Sequence, residues 1–462
     1  MEGERDSLVK IKTTTQYYWI ACVILFALAP IKNSLATGLL KVESNGFLRR
    51  SEDRSDSSST ISVGPNIDSQ GKYIEGKLDL QAIVQVTDTK NMTVDRNAFT
   101  VEASNAYFST AKKLAPHHQA TLGRRIYDLA RFDDEWQFGT YSPRFIWDPT
   151  RPQTIGLTGA FYTYQSKHWR GLAYASPINI PERGYPMRNE DGKLTSTNPF
   201  APVFPESAVI AKKNIPIQYQ IDYPPMNQLV ANPGGLTSLR YSTEENGKGV
   251  WAQGMYSYLP VHQPNLAIEP AYVLQKDVID VRVHPEIQKH HMMSFETGIE
   301  KSKFAIWSSI TKEIPTSRDI PTGWVGMSSE PAMIYSAGGN VQLGRRWNFN
   351  TAYIFVDEKT SPAVENQDFS VDLGSRFPYH RAAKAGLSFF GSERMTYTLG
   401  FVDDIAKESQ FTSFDITYRI VRKDNALTLN LGSDFFASAT RKGYIGQYQG
   451  NDRFRGGISY AF

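Results

Sequence analysis

The last stretch of the chain, Arg453-Phe-Arg-Gly-Gly-Ile-Ser-Tyr-Ala-Phe462, decides how the rest is interpreted. It predicts a β-strand, because side chains that alternate with a period of two separate into two faces. One face is apolar, with an aromatic residue at each end, and the other carries small or basic side chains. A strand of a soluble β-sandwich could show the same alternation, so the position at the end of the chain and the pattern elsewhere must decide.

This terminal stretch resembles the last strand of bacterial outer-membrane β-barrels, which ends in Phe after apolar residues at every second position. The residues that carry the resemblance are Phe454, Ile458, Tyr460 and Phe462. The resemblance implies a barrel in the bacterial outer membrane, in contact with lipid and handled by the barrel-assembly machinery through this strand. Segments 144–148, 156–159 and 175–184 also look like parts of uncharacterised barrels from polysaccharide-export systems.

The same alternation recurs along the chain from Ile74 onwards, for example over 74–86, 395–401, 414–420 and 427–431. Tight connections such as 344–346 and 391–394 alternate with long ones such as 358–380, as in barrels with short periplasmic turns and long extracellular loops. We therefore predict a closed antiparallel transmembrane β-barrel of 18 strands, with 16 as the alternative. The strands are expected near residues 74, 98, 135, 156, 168, 214, 236, 249, 265, 291, 303, 333, 347, 381, 395, 412, 425 and 453.

The beginning of the chain predicts export. The apolar run Trp19–Pro30 would form a helix of roughly 18 Å, too short for a hydrocarbon layer of about 30 Å. Small residues at Ser34 and Ala36 fit a signal-peptidase site, so residues 1–36 are expected to be a signal peptide that carries away the only cysteine, Cys22. We expect 37–73 to be a disordered mature N-terminus and 74–462 to form the barrel.

Two segments interrupt the alternation. Residues 115–134 have a helix-like spacing, and we expect a short periplasmic helix or an irregular strand more than a docking element for a partner. Residues 177–213 contain six prolines and cannot form one strand. We predict that part of this loop enters the lumen as a constriction lined by Glu182, Arg183 and Arg188, or that it stays outside in solvent.

Strand parity predicts which polar side chains face the lumen. A charged side chain against lipid would cost about 2–4 kcal/mol at mid-membrane, and little in a wet interior. The residues expected to face inward are Asn340, Gln342, Lys384, Asp415, Arg419, Asn430, Asp434, Arg453 and Arg455. Trp136, Trp147, Trp251, Trp307 and Trp347 are expected in the aromatic girdles at the membrane interfaces.

Motifs for catalysis or cofactor binding are sparse. The acidic run 133–135 and the group His284, Glu286, His290 and His291 are interpreted as surface residues and not as catalytic or metal-binding sites. A net charge of +3 gives no reason to expect nucleic-acid binding. We therefore expect no enzyme activity, no cofactor and no metal.

Three functions are compatible with these patterns. The first is a porin-like channel for hydrophilic solutes or exported polysaccharide. The second is a structural sheath around a periplasmic partner such as a cytochrome, and the third is an outer-membrane barrel enzyme. A barrel of 16–18 strands is wide enough for an aqueous path, which favours the channel.

Overall fold

The computed structural model describes residues 36–48, 57–87, 99–184, 187–196, 198–201, 204–316, 321, 324–326, 330–358, 376–422, 425–439 and 443–462. Eighteen of its strands form one closed sheet. In chain order they are β1 (Ala36–Phe47), β2 (Ser57–Gln70), β3 (Ile74–Thr87), β4 (Phe99–Thr110), β5 (His118–Arg125), β6 (Leu157–Gln165), β7 (Trp169–Ser176), β8 (Gly234–Ser242), β9 (Gly249–Pro260), β10 (Lys289–Lys301), β11 (Phe304–Pro315), β12 (Ala332–Leu343), β13 (Trp347–Glu358), β14 (Arg381–Ser392), β15 (Met395–Asp404), β16 (Ser409–Arg422), β17 (Asn425–Ser438) and β18 (Arg453–Ala461).

The sheet is a barrel because its first and last strands pair. Each strand is antiparallel to the next, and β18 pairs with β1 from Phe47–Arg453 to Leu39–Ala461. Beyond that register, Gly38 and Phe462 exchange two backbone hydrogen bonds, of 2.6 and 3.0 Å. Closure leaves no sheet edge with unpaired backbone groups, as a bilayer requires. The predicted closed 18-strand antiparallel barrel is confirmed.

The connections divide between the two ends of the barrel. At the end of the barrel where Gly38 pairs with Phe462, they are 71–73, 111–117, 166–168, 243–248, 302–303, 344–346, 393–394 and 423–424. At the other end they are 48–56, 88–98, 126–156, 177–233, 261–288, 316–331, 359–380, 405–408 and 439–452. The assignment of these ends to periplasm and exterior stays a prediction.

The longer connections contain structure of their own. A five-stranded sheet is built from Ser207–Ile210, Lys213–Ile221, Asn265–Val273, Val278–Glu286 and Val325–Gly326. Arg188–Glu190 and Lys193–Thr195 form a hairpin, and Arg144–Ile146, Gln153–Thr154 and Arg183–Gly184 a three-stranded sheet. The described helices are α1 (Arg131–Trp136), α2 (Met226–Val230) and α3 (Gly443–Gly446), with a 3₁₀ turn at Glu245–Gly247. None of the described helices is long and apolar enough to span a membrane.

The predicted number of barrel strands is correct, but three of the predicted strands do not belong to the barrel. The strand expected near 135 is helix α1, and those expected near 214 and 265 belong to the five-stranded sheet. That sheet buries Ile215 and Ile217 against Ile279 and Val281, so its alternation is real but serves a separate core. Alternation indicates a half-buried strand and does not say which sheet the strand joins.

Three barrel strands were missed. The prediction of a disordered segment over 37–73, with the barrel beginning at 74, is wrong for β1 and β2, which pair with each other and with their neighbours. Strand β5 lies in the segment 115–134, where a periplasmic helix or an irregular strand was expected. Serine and threonine on the inner face of β2 give it the composition of a disordered segment. Residues 1–35 lie outside the described residues, so the signal peptide stays a prediction.

Candidate functional site: the interior of the barrel

The connection between β5 and β6, which we call the interior segment (126–156), crosses the inside of the barrel. Its Leu129 carbonyl accepts a hydrogen bond from Gln253 on β9, and Trp136 Nε1 donates to Ser336 on β12 over 3.1 Å. On the far side of the ring, Arg151 Nη2 contacts Asp434 Oδ1 on β17 at 3.0 Å. One short segment can reach such distant strands of a closed ring only from within.

Helix α1 and the turn after it hold the interior segment in shape. The helix ends where Gln137 adopts a left-handed conformation and donates its N–H to the carbonyl of Asp133. The Asp133 carboxylate then accepts the N–H groups of Thr140 and Tyr141, at 3.0 and 2.8 Å. These bonds satisfy a buried carboxylate that would otherwise be costly to bury.

A buried ion pair ties the interior segment to the connection 177–233. Arg144 Nε lies 2.8 Å from Glu182 Oε1, and both side chains are almost fully buried. Gly139 has a φ of +73°, and a Cβ there would collide with Glu182 and Arg144. Further along, Asn198 donates to the carbonyl of Trp147 over 3.0 Å. Two connections therefore occupy the interior together.

One half of the interior, which we call the apolar half, lies along β6–β14. There the interior segment contributes an apolar face to a buried cluster with the inward side chains of the wall. Phe132 and Tyr141 are completely buried, as are Met292, Ile334 and Ile354 on the strands. This packing resembles the core of a soluble domain more than a water-filled lumen.

The other half, which we call the polar half, lies along β16–β18 and β1–β3. Arg453 donates to Asp434 and to Asp148, each at 2.6 Å, and its side chain is completely buried. Arg455 lies 2.7 Å from Asp415 and 2.8 Å from Asp434. With Arg151, these side chains form one network between the wall and the interior segment.

A cavity of about 450 Å³ lies in the polar half. Its wall carries hydroxyl and amide side chains from β1, β2 and β3, and the Arg–Asp network from β16–β18. Phe145 and Trp147 of the interior segment close another side, with stacked rings whose centroids are 5.7 Å apart. The interior segment also lines the cavity with the charged side chains of Asp148 and Arg151.

A second cavity, of about 690 Å³, lies between residues 127–134 and strands β5–β10. It contains charges of both signs, with Arg131 Nη2 3.0 Å from Glu300 Oε2. Asp134, in the interior segment and outside the strands, also lines it. Burial, reinforced by the neighbouring carboxylate of Asp133, raises the pKa of Asp134 to about 8.

The outer face of the barrel is apolar where parity predicts it. Phe454 and Ile458 expose more than half of their surface, as do Leu431 and Ile306. Tyr460 stacks on Phe462 with ring centroids 5.5 Å apart, next to the seam between β18 and β1. Closed backbone pairing and an apolar exterior make the chain a membrane-spanning barrel of the bacterial outer-membrane type.

The residues predicted to face the lumen fall into groups. Asp415, Asp434, Arg453 and Arg455 come together in the network, and Asn430 lines the same cavity and accepts from Thr417. Lys384 contacts Glu135 of helix α1 at 2.8 Å. Asn340 and Gln342 lie on a rim near Glu300, and Arg419 is exposed on β16.

Two of the three predicted constriction residues, Glu182 and Arg183, contact the interior segment, and Arg188 lies apart from them. Glu182 is buried against Arg144, and Arg183 donates to the carbonyl of Val101 on β4. Arg188 lies in the hairpin whose Asn189 contacts Tyr219 of the five-stranded sheet, away from the other two. Grouping Arg188 with the other two was therefore wrong.

The tryptophan prediction was also mostly wrong. Trp251 and Trp307 are buried in the apolar half, Trp136 belongs to the same cluster, and Trp147 lines the first cavity. Of these five tryptophans, only Trp347 is exposed on the outer surface. The alternation within β9 and β11 could have revealed that Trp251 and Trp307 are buried, because both lie on the inward face of their strands.

The histidine group does not assemble. His284 stacks on Trp324 at 4.1 Å, His290 contacts Glu313 on β11, and His291 stacks on Tyr258 on the outer face. Among the described residues, no three metal-binding side chains come together in a way that could hold an ion.

The sequence matches no known family model and no curated protein. Solved structures with a similar fold include a BenF-like porin from Pseudomonas fluorescens Pf-5, at 8% identity and a TM-score of 0.48, covering 94% of this chain and 99% of that one. OpdQ from Pseudomonas aeruginosa matches at 12% identity and a TM-score of 0.46, over 94% and 99% of the two chains. OccAB4 from Acinetobacter baumannii matches at 9% identity and a TM-score of 0.44, again over 94% and 99%.

Proposed function

We propose that the chain is an outer-membrane channel that passes hydrophilic solutes along the polar half of its interior. The observation that carries this proposal is the cavity of about 450 Å³ between polar walls and the interior segment. In a structural core, buried hydrogen-bonding groups are normally paired with each other and do not surround open space. Hydrophilic solutes need such groups to replace the water that they lose on entry.

The proposed constriction is the interior segment, and the network residues form its polar edge. Arg453 and Asp434 line or support the cavity from the wall, and Asp148 and Arg151 do so from the segment. Glu182 acts by holding the segment through Arg144. Arg183 supports the segment by pairing with Phe145, and Arg188 has no part in the constriction.

A sheath around a periplasmic partner is less well supported. The interior segment fills the apolar half with its own side chains, in the space that an inserted partner would need. We assign no enzyme activity to the chain. Removal of residues 1–36 as a signal peptide and recognition of β18 by the assembly machinery are parts of the proposal.

The test is single-channel conductance of the refolded protein without residues 1–36 in a planar bilayer. Residues 128–153 are replaced by a short Gly-Ser linker, which can join the strands because Arg125 pairs with Leu157. We expect discrete steps from the parent protein and larger steps from this variant. A matched control deletes the outer hairpin 187–196 and should leave the step size unchanged.

A second measurement covers the case in which the linker variant fails to fold. Thr60, which lines the cavity, is replaced by Cys and modified with a bulky thiol reagent, and we expect the current to fall. The control Ile306→Cys places the thiol on the outer face, where modification should have no effect. Inserted protein without conductance, or equal block at both positions, would contradict the proposal.

A further inference from the structure

The charges around the cavity of the polar half neutralise one another. Among the residues that the structure describes, its basic groups are matched in number by carboxylates, and each contacts at least one of them. The basic groups are Lys41, Arg151, Arg453 and Arg455, and the carboxylates are Glu43, Asp148, Asp415 and Asp434.

The distances show that these contacts are direct. Lys41 Nζ lies 2.8 Å from Glu43 Oε2, apart from the main network. Arg151 lies 3.1 Å from Asp415 and 3.0 Å from Asp434, and so it joins the interior segment to the wall. Because each of these charges has an opposite charge in contact, the described part of the cavity lining presents no excess of either sign that would attract an ion.

A charged solute would gain little in such a cavity. It loses hydration on entry, and the groups that could replace this hydration are already engaged with each other. A site that selects ions normally has an excess of one sign of charge. The cavity therefore penalises anions and cations alike.

Neutral hydrogen-bonding groups occupy the part of the wall next to the network, where Asn45 pairs with Arg455. Asn45, Ser58, Thr60, Gln81 and Gln85 line the cavity from three adjacent strands. Hydroxyl and amide groups can both donate and accept, so they suit a solute that carries many hydroxyl groups. They form a broad surface instead of a single point contact.

The aromatic side of the cavity completes the recognition chemistry. The rings of Phe145 and Trp147 lie nearly parallel, with an interplanar angle of 17°. The negative face of an aromatic ring attracts the slightly positive C–H groups of a flat solute. A surface of hydroxyl and amide groups facing aromatic rings fits a molecule with polar edges and C–H faces.

We infer that the solute class of this channel is the uncharged saccharides, and that the cavity of the polar half is their binding site. This inference rests on the proposed channel function and deepens it. The volume of about 450 Å³ lies within the common range of ligand sites, about 300–1,000 Å³.

The test compares three probes of nearly equal size in proteoliposomes: radiolabelled glucose, its anionic analogue gluconate and its cationic analogue glucosamine. Conductance of the same preparation is recorded in parallel. We expect glucose to enter faster than either charged probe by roughly tenfold, because ions lose more hydration. Equal or faster entry of a charged probe would overturn the inference while leaving the channel intact. Entry of no probe, without conductance, would overturn both.

Two variants test the mechanism. Asp415→Asn leaves the cavity with one positive charge in excess, so gluconate entry should rise relative to glucose. The control Asp277→Asn removes a carboxylate from the exposed five-stranded sheet, where it pairs with Lys213, and should change nothing. An unchanged gluconate-to-glucose ratio in Asp415→Asn would contradict the role of charge balance.

The aromatic pair is tested through binding. Glucose held in the cavity should reduce the ionic current, and Trp147→Ala should raise the concentration for half-block by roughly three- to tenfold. Trp347→Ala removes an exposed tryptophan from the outer face and serves as the control. Equal effects of the two substitutions would place glucose outside this cavity.

Discussion

The two halves of the barrel interior differ although the same kind of wall surrounds both. In the apolar half, Met292, Ile334 and Ile354 point inward and pack on Phe132 of the interior segment. In the polar half, Arg453 and its partners point inward and leave a cavity. The comparison indicates that the inward side chains decide whether a stretch of wall packs on the interior segment or borders the cavity of the polar half.

The difference has a simple energetic basis. Apolar side chains that meet across the interior are removed from water, which contributes about 25 cal/mol per Å² buried. Paired charges in the other half gain little from closer packing, because desolvation offsets their attraction. Hydrophobic burial therefore anchors the segment against β6–β14, although the second cavity remains beside residues 127–134.

The largest effect on the difference between the two halves is expected from a substitution at Phe132. Phe132→Ala should destabilise the interior segment by about 3–5 kcal/mol, because it opens a cavity in a close-packed cluster. The measurement is native-state hydrogen exchange of the amides of Thr140 and Tyr141. Phe414→Ala, on the outer face, is the control and should leave these amides unchanged. Similar acceleration in both variants would mean that the apolar half is no core.

The buried ion pair tests the connection between the two interior loops. Glu182→Gln should cost about 1.5–3 kcal/mol, since Arg144 loses its counter-charge and one charged hydrogen bond. The same amide exchange measures it, and the double variant Arg144→Met/Glu182→Met should recover much of the loss. No recovery in the double variant would show that the two side chains act independently.

The dependence of stability on pH tests the buried carboxyl group of Asp134, which lines the second cavity. The pKa of Asp134 is about 8 in the folded chain and near its ordinary value of 3.8 in an unfolded one. Between these values the folded state holds a proton that the unfolded state has lost. Stability should therefore fall as pH rises through this window, by about 1.4 kcal/mol per pH unit at most.

The check is a stability profile of the interior segment from pH 5 to 9, corrected for intrinsic exchange rates. Asp134→Asn stays neutral and should flatten the slope by about one proton, although the charges of Asp133, Asp128, Glu296 and Arg131 remain nearby. Asp277→Asn, outside the barrel, should keep the parent slope. A parent-like slope in Asp134→Asn would assign the titration to another group.

The smallest effect is expected on the wall of the polar half. Thr60→Ala should change stability by less than about 0.5 kcal/mol, because no close packing is lost there. Amide exchange of residues 126–156 measures this. A loss comparable to that of Phe132→Ala would mean that the polar half is packed as tightly as the apolar one.

Much of the wall could be predicted from the sequence alone. Alternation over β18 placed Phe454 and Ile458 outward and Arg453 and Arg455 inward, because a strand has only two faces. The sequence did not reveal β1 and β2, because the lumen-facing side chains are charged or amide on β1 and serine or threonine on β2. It also did not separate barrel strands from Lys213–Ile221, because a half-buried strand has the same pattern in either sheet.

By itself, the sequence determined the class of the fold and the orientation of most strands, since both follow from local alternation and from connection lengths. Only the tertiary structure decided that Trp251 and Trp307 pack with the interior segment and that Glu182 pairs with Arg144. It also placed Arg188 in a separate hairpin. These facts depend on where long connections fold, and contacts between residues distant in sequence decide that. Alternation sets the direction of a side chain, and the folded chain sets what that side chain meets.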